Sequence, residues 1–265
     1  MKRYLASFVL FLTVVLGQSA LAAEREIGIV LLHGKLGTQM DVQELGDKLS
    51  ADGYLVIMPE MPWSKARRYD RPLTEAHEEI DRAIGELRRR GAKRIVAAGH
   101  SMGANMTIGY AATHDGLSAV MALGPGQTVE AQRFRDELGQ SVSLAEKMIR
   151  DGNGNQKAVF QDLHLGKNGT VETTAENYYS YFYPEGLANM PSMVATVSIP
   201  LLWTVGTKDA NMLDRGRGYA FDLAPANPLN HYEEVAGADH MGTPAASWPI
   251  VRDWLRQVIH SASWY

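Results

Sequence analysis

The chain has 265 residues, of which 45% are hydrophobic and 21% charged, enough apolar material to build one substantial core. Its formal net charge of −4 argues against a nucleic-acid surface or a polybasic membrane patch. It contains no cysteine, which excludes disulfides and a thiol nucleophile.

The amino terminus reads as an export signal. Lys2 and Arg3 precede an apolar run over residues 5–16, and Ala20-Leu21-Ala22 supplies a small-residue cleavage pattern. The run is shorter than the roughly 20 residues that a membrane-spanning helix needs, and there is no cysteine to carry a lipid. Residues 1–22 are therefore expected to be a signal peptide that is removed, leaving a bacterial periplasmic or extracellular protein with no stable membrane anchor.

Residues 27–32 form an unbroken apolar run, as expected of a central parallel strand buried on both faces. It ends in His33-Gly34-Lys35-Leu36-Gly37. Glycines at a strand's carboxyl end let the backbone turn and expose its N–H groups, so the loop is either a plain tight turn or half of an oxyanion hole with Lys35 N–H as donor. Asp41-Val42-Gln43-Glu44 resembles a capping box opening a helix that buries Val42, Leu45 and Leu49 and ends at Gly53. A strand over 54–58 follows, and Trp63 in the next loop is a candidate pocket residue. A helix over about 74–90 buries Leu73, Ala76, Ile80, Ala83, Ile84 and Leu87. Arg88-Arg89-Arg90 at its negative end reads as solvated charge.

A short buried strand, residues 95–98, then runs into Gly99-His100-Ser101-Met102-Gly103 and a helix-like segment. This is the G-x-S-x-G pattern with the flanks it needs: the serine sits on a strained strand-to-helix turn, so the positions two before and two after it must be nearly free of side chain. Another strand, 119–123, ends in Gly124-Pro125-Gly126. Strict alternation of strand and helix predicts an α/β fold, with a mostly parallel sheet flanked by helices and ligands at the strands' carboxyl ends.

The alternation stops over residues 125–199, too long for an ordinary connection. A helical stretch, 129–150, offers Phe134, Leu138, Leu144 and Met148 as inward positions. An aromatic cluster, residues 178–183, includes Tyr178, Tyr179 and Phe182. An insertion at this place covers the strand ends as a helical cap, and its rings either line an apolar substrate pocket or pin the cap to the body. Asp151, Asn153, Asn155 and Asp162 match some calcium-loop positions, but Gln156 stands where glycine is required, so no metal site is expected.

A strand over 200–205 leads to Gly206-Thr207-Lys208-Asp209, and one over 232–235 leads to Ala238-Asp239-His240. A closing helix over about 249–260 packs Val251, Trp254, Leu255 and Val258 inward. Ser101, Asp209 and His240 thus each follow a strand. A serine hydroxyl is a weak nucleophile that needs a base, a histidine can take and return its proton near neutral pH, and a carboxylate can orient that histidine. Of the eight histidines, His240 alone lies in a glycine-flanked loop after the last strand. For the acid, Asp214 and Asp239 stand behind Asp209.

With His33-Gly34, Gly99-x-Ser101-x-Gly103, Gly206-x-x-Asp209 and Ala238-Asp239-His240 in this order, residues 25–265 resemble the α/β-hydrolase superfamily. The resemblance implies one domain, residues 23–265, lacking the superfamily's first two strands and carrying a cap over about 125–199. It implies Ser101 as nucleophile, Asp209 as acid, His240 as base, and the backbone N–H groups of Met102 and Lys35 as oxyanion donors, with no metal or organic cofactor. Lys35 departs from the small or aromatic residue common after His-Gly. The expected substrate is a small ester or acyl compound cleaved through an acyl-enzyme. A peptidase, amidase or thioesterase would use the same machinery, and a catalytically silent binding protein would use the same scaffold.

Overall fold

The computed structural model describes residues 26–210 and 216–261. The expected signal peptide and Asp214 lie outside the described residues.

Six strands make the main sheet: β1 (Ile27–Leu32), β2 (Leu55–Ile57), β3 (Arg94–His100), β4 (Ala119–Leu123), β7 (Leu201–Gly206) and β8 (His231–Val235). They lie in the order β2-β1-β3-β4-β7-β8, and every neighbouring pair is parallel. Alternate side chains of β1 feed opposite faces, so Val30 and Leu32 join one core while Ile27, Ile29 and Leu31 join the other. Helices α2 (Leu73–Arg89) and α3 (Met102–Thr113) cover the first face. Helices α1 (Gln43–Ala51) and α6 (Trp248–His260) cover the second, α6 through Val251, Trp254, Leu255 and Val258 as expected. The chain steps from β1 outward to β2 and then back across β1 to β3. The order therefore reverses between β1 and β3, where an open α/β sheet leaves a crevice at its carboxyl ends. His33-Gly34-Lys35 and Ser101 both leave the sheet there.

Three expectations need correction. The capping box lies one turn earlier than read: Thr38 Oγ1 accepts the Met40 N–H, and the Asp41 carboxylate accepts the Thr38 N–H, around a short 3₁₀ turn. Leu144 on helix α4 (Gln132–Arg150) faces solvent, and Val142 and Ala145 take the inward positions instead.

The insertion is not purely helical. Between α4 and α5 (Ala175–Phe182) stands an antiparallel hairpin of β5 (Lys157–His164) and β6 (Lys167–Thr174). Leu165 and Gly166, both at positive φ, close it in two residues, matching the twist of the strands. Its buried positions include Asp162 and Thr173 beside Phe160 and Val171. Two polar residues on the inner face erase the alternation by which a strand is recognised.

His77 lies on the buried stripe of α2, packed edge-on against Tyr110 and His114, and its Nε2 has no partner among the described residues. Burial, aided by His114, pushes its imidazole down to about 4 from 6.5. The unfolded chain therefore takes up this proton first, and the folded state loses stability as pH falls below 6.5 toward 4. From about pH 7.5 to about pH 5, the wild type should lose about 2 kcal/mol more unfolding free energy, read from urea titrations, than His77→Phe. Equal losses in the two proteins would show that His77 is not held neutral.

Candidate active site

Ser101 joins β3 to α3 at φ 54° and ψ −122°, a strained conformation for a residue with a side chain. The surroundings impose it. A Cβ on Gly103 would lie 2.6 Å from the carbonyl oxygens of both Leu32 and His33, and one on Gly99 would collide with the Gly103 backbone. The Ser101 N–H donates to the Leu123 carbonyl at 3.1 Å, fastening the turn to β4.

The loops after β7 and β8 are bonded to each other. Thr207 N–H donates to Val235 O, Lys208 N–H to Ala238 O at 2.8 Å, and Gly237 N–H to Thr207 Oγ1 at 2.8 Å. These bonds set Asp209 beside His240. Asp209 Oδ2 lies 2.6 Å from His240 Nδ1, and His240 Nε2 lies 2.9 Å from Ser101 Oγ. A carboxylate only accepts, so the ring proton sits on Nδ1 and Nε2 is left to accept from the serine hydroxyl. The Asp209 side chain is 1% exposed and that of His240 12%. His100 Nε2–H donates to the His240 carbonyl at 2.9 Å, and the two rings lie 4.9 Å apart. Asp239 instead spends Oδ1 on the Gly242 N–H at 2.7 Å, within its own turn.

The loop after β1 is held from below. Met61 N–H donates to His33 Nε2 at 3.0 Å, Trp63 Nε1–H donates to the His33 carbonyl at 2.9 Å, and Leu36 turns at φ 52°. Burial pushes the His33 ring below its ordinary range. Among the described residues, neither the Lys35 N–H nor the Met102 N–H at the start of α3 has an acceptor. The Lys35 side chain runs away from the serine into the insertion. Its ammonium pairs with Asp162, donates to Leu163 O at 2.8 Å and stands 4.8 Å from the centre of the Phe182 ring. Burial pushes this ammonium below the usual lysine range, against the opposing pull of Asp162.

A cavity of about 320 Å³ opens over these groups, lined by Ser101, Met102, Lys35 and His240 and, from the insertion, by Gln127, Phe134 and Leu163–Gly166 among others. Of the aromatics expected in a pocket, Trp63, Tyr178, Tyr179 and Phe182, none is among the lining residues. Trp63 is buried beneath the loop. Tyr178 stacks between Phe160 and Phe182 and donates to Gln161 O at 2.7 Å, and Tyr179 stacks on Tyr183. The rings pin the insertion, and among the described residues the one phenyl side chain that lines the cavity is Phe134. Sequence reasoning also passed over Asn105. Buried on α3, it accepts the N–H groups of Gly126 and Gln127 at 3.1 Å each and donates to Gln127 O at 2.7 Å, clasping that loop beside Ser101. The available signal is an amide in a mostly apolar stretch just after the serine motif.

A hydroxyl, an imidazole and a carboxylate thus stand in hydrogen-bonded sequence at the carboxyl ends of a parallel α/β sheet. The chain belongs to the alpha/beta hydrolase family, whose model matches residues 29–251. It is 25% identical over 130 residues to a thermostable monoacylglycerol lipase of Bacillus sp. (strain H-257), covering 44% of this chain and 52% of that one. The match thus spans about half the length of that relative. Among solved structures, a monoacylglycerol lipase of Paleococcus ferrophilus superposes with a TM-score of 0.63 at 21% identity, covering 88% of this chain and 93% of that one. Est1E from Butyrivibrio proteoclasticus does so with a TM-score of 0.60 at 14% identity, covering 90% of each chain.

The Lys35–Asp162 pair generates a test of how the insertion is held. Lys35→Met leaves a carboxylate buried without its counter-ion and should cost about 3–5 kcal/mol in denaturant unfolding. Adding Asp162→Leu should restore more than half of that, because two apolar side chains leave no charge to desolvate. A single variant as stable as the wild type would mean that the pair is not closed in solution.

Proposed function

We propose that this chain hydrolyses small carboxylic esters through an acyl-enzyme on Ser101. The observation that carries the proposal is the unbroken chain from Asp209 through His240 to Ser101 at the floor of a cavity. His240 Nε2 takes the Ser101 proton as Oγ attacks the ester carbonyl, and Asp209 stabilises the imidazolium. The negative charge on the carbonyl oxygen is met by the N–H groups of Met102 and Lys35, already desolvated and aimed before the reaction begins. Collapse expels the alcohol, which leaves with the proton from Nε2. Water then repeats the sequence, releasing the acid and restoring the serine.

Ester cleavage is preferred to amide cleavage because monoacylglycerol lipases and an esterase are among the proteins this chain is similar to. The basic start, short apolar run and Ala20-Leu21-Ala22 support export to the periplasm or medium as part of the same proposal.

Ser101→Ala should lower turnover of short 4-nitrophenyl esters by about 10⁴-fold or more. A fluorophosphonate probe should label the wild type at Ser101 and leave the variant unlabelled. Folded wild-type protein that neither labels nor hydrolyses would identify the chain as a silent scaffold.

A further inference from the structure

The loop that carries His240 is held along most of its length by bonds that do not involve the nucleophile. Those between the β7 and β8 loops reach as far as Ala238, whose carbonyl takes the Lys208 N–H at 2.8 Å. Beyond it, the Asp239 carbonyl takes the Thr243 N–H and hydroxyl, and the Asp239 carboxylate takes the Gly242 N–H, all within one turn. The backbone of His240 itself is tied to β3 through His100, whose Nε2–H donates to the His240 carbonyl at 2.9 Å. His100 is the last residue of β3 and immediately precedes Ser101.

Two adjacent residues are thus bonded to two groups of a third. Ser101 Oγ meets the His240 ring at Nε2, and the His100 ring meets the His240 carbonyl, each at 2.9 Å. Together the two bonds close a small cycle through the peptide joining residues 100 and 101. The imidazole cannot slide along the serine without breaking one of them. The cycle is also gripped from outside. His100 is fully buried; a Cβ on Gly34 would come 3.4 Å from its Nδ1, and one on Gly124 would come 3.8 Å from its Cδ2 and 3.8 Å from His240 Nδ1. Two glycines therefore leave just the room that two rings need. A ring packed this closely keeps one orientation, and a carbonyl only accepts, so His100 carries a proton on Nε2 while its neighbour carries one on Nδ1.

We propose that His100 is a positioning residue for the reaction: its Nε2–H fixes the backbone of His240, and with it the reach of that imidazole to Asp209 and Ser101 at once. His100 is not among the residues that line the cavity, so it acts through His240 and not on the substrate. Its effect therefore falls on proton transfer and leaves substrate binding largely alone. A misplacement of about 1 Å at a reacting group costs about 100-fold in rate, so a single bond remote from the substrate is enough to matter. The inference rests on Ser101 as nucleophile and His240 as base.

Paired substitutions separate the donor from the bulk of the ring. His100→Leu fills most of the space without a donor, while His100→Gln places an amide N–H about as far out as Nε2. With short 4-nitrophenyl esters, His100→Leu should lower kcat by about 100-fold and change KM by no more than about twofold, and His100→Gln should recover most of the loss. A second readout needs no substrate. In protein carrying nitrogen-15 histidine, in mildly alkaline buffer where imidazoles are neutral, ring correlations should show His240 protonated on Nδ1 in the wild type and in His100→Gln. In His100→Leu that ring should average between its two tautomers. A leucine variant as active as the wild type, a glutamine variant as impaired as the leucine one, or a His240 tautomer unmoved by leucine overturns the inference and leaves ester hydrolysis standing. Should the leucine variant fail to fold, His100→Asn takes its place in every comparison, since its shorter amide falls where Nδ1 stands and misses the carbonyl. Should the wild type cleave no ester, hydrolysis is the part that fails, and the tautomer alone decides: its loss in His100→Leu with recovery in His100→Gln upholds the inference, and any other pattern ends it.

Discussion

The arrangement depends on one residue held where a side-chain-bearing residue resists going. At φ 54°, Ser101 sits in a region costing on the order of 1–3 kcal/mol. Such a conformation survives only where the surroundings over-determine it. Here they do so from several sides: the Leu32 and His33 carbonyls press on Gly103, Leu123 O takes the Ser101 N–H, and Asn105 clasps the loop beside it. The return is geometric. The hydroxyl stands clear of the sheet edge, and the Met102 N–H behind it is left without an intrahelical acceptor.

Once the serine is fixed, the other two groups must be brought to it from 139 and 31 residues' separation along the relay. Backbone bonds between the β7 and β8 loops carry most of this, so Asp209 and His240 share a rigid pair of turns. The insertion is held as firmly. Tyr69 O accepts from Thr173 Oγ1 and Asn177 Nδ2, Leu73 N–H donates to Ser180 Oγ at 2.9 Å, and Tyr181 O–H donates to Arg71 O at 3.1 Å. With the Lys35–Asp162 pair added, the hairpin is stapled to the body at more than one level, and the cavity beneath it is preformed.

The legible and illegible parts of this molecule divide along a physical line. Strands buried on both faces advertise themselves as apolar runs, and Gly99, Gly103, Ser101, Asp209 and His240 follow from rules of local geometry at strand ends. The order of those runs sufficed for the sheet and for which three polar groups meet. The hairpin was hidden because Asp162 faces inward, a placement that makes sense only once Lys35, far away in sequence, is known to reach it. The same holds for Trp63, Tyr178, Tyr179 and Phe182: aromatic content was visible, but whether a ring lines a cavity or packs beneath it depends on tertiary contacts. Asp239, which stood behind Asp209 in the sequence, closes its own turn with its carboxylate.

Lys35 explains why reaction and pocket cannot be assigned to separate halves of the chain. Its backbone lies in the loop after β1, next to Gly34, at which an added Cβ would come 3.1 Å from Ser101 Cβ. Its side chain ends in the hairpin, on Asp162 and Leu163. A small residue at this position would expose the same N–H but leave Asp162 buried without its counter-ion. A lysine meets both requirements, because its long apolar stem crosses the core and delivers charge only at the far end. The neighbouring residues of the hairpin, from Leu163 to Gly166, are those that line the cavity. A shift of this side chain therefore moves the substrate-facing wall and the proposed oxyanion donor together, which couples the choice of substrate to the chemistry performed on it.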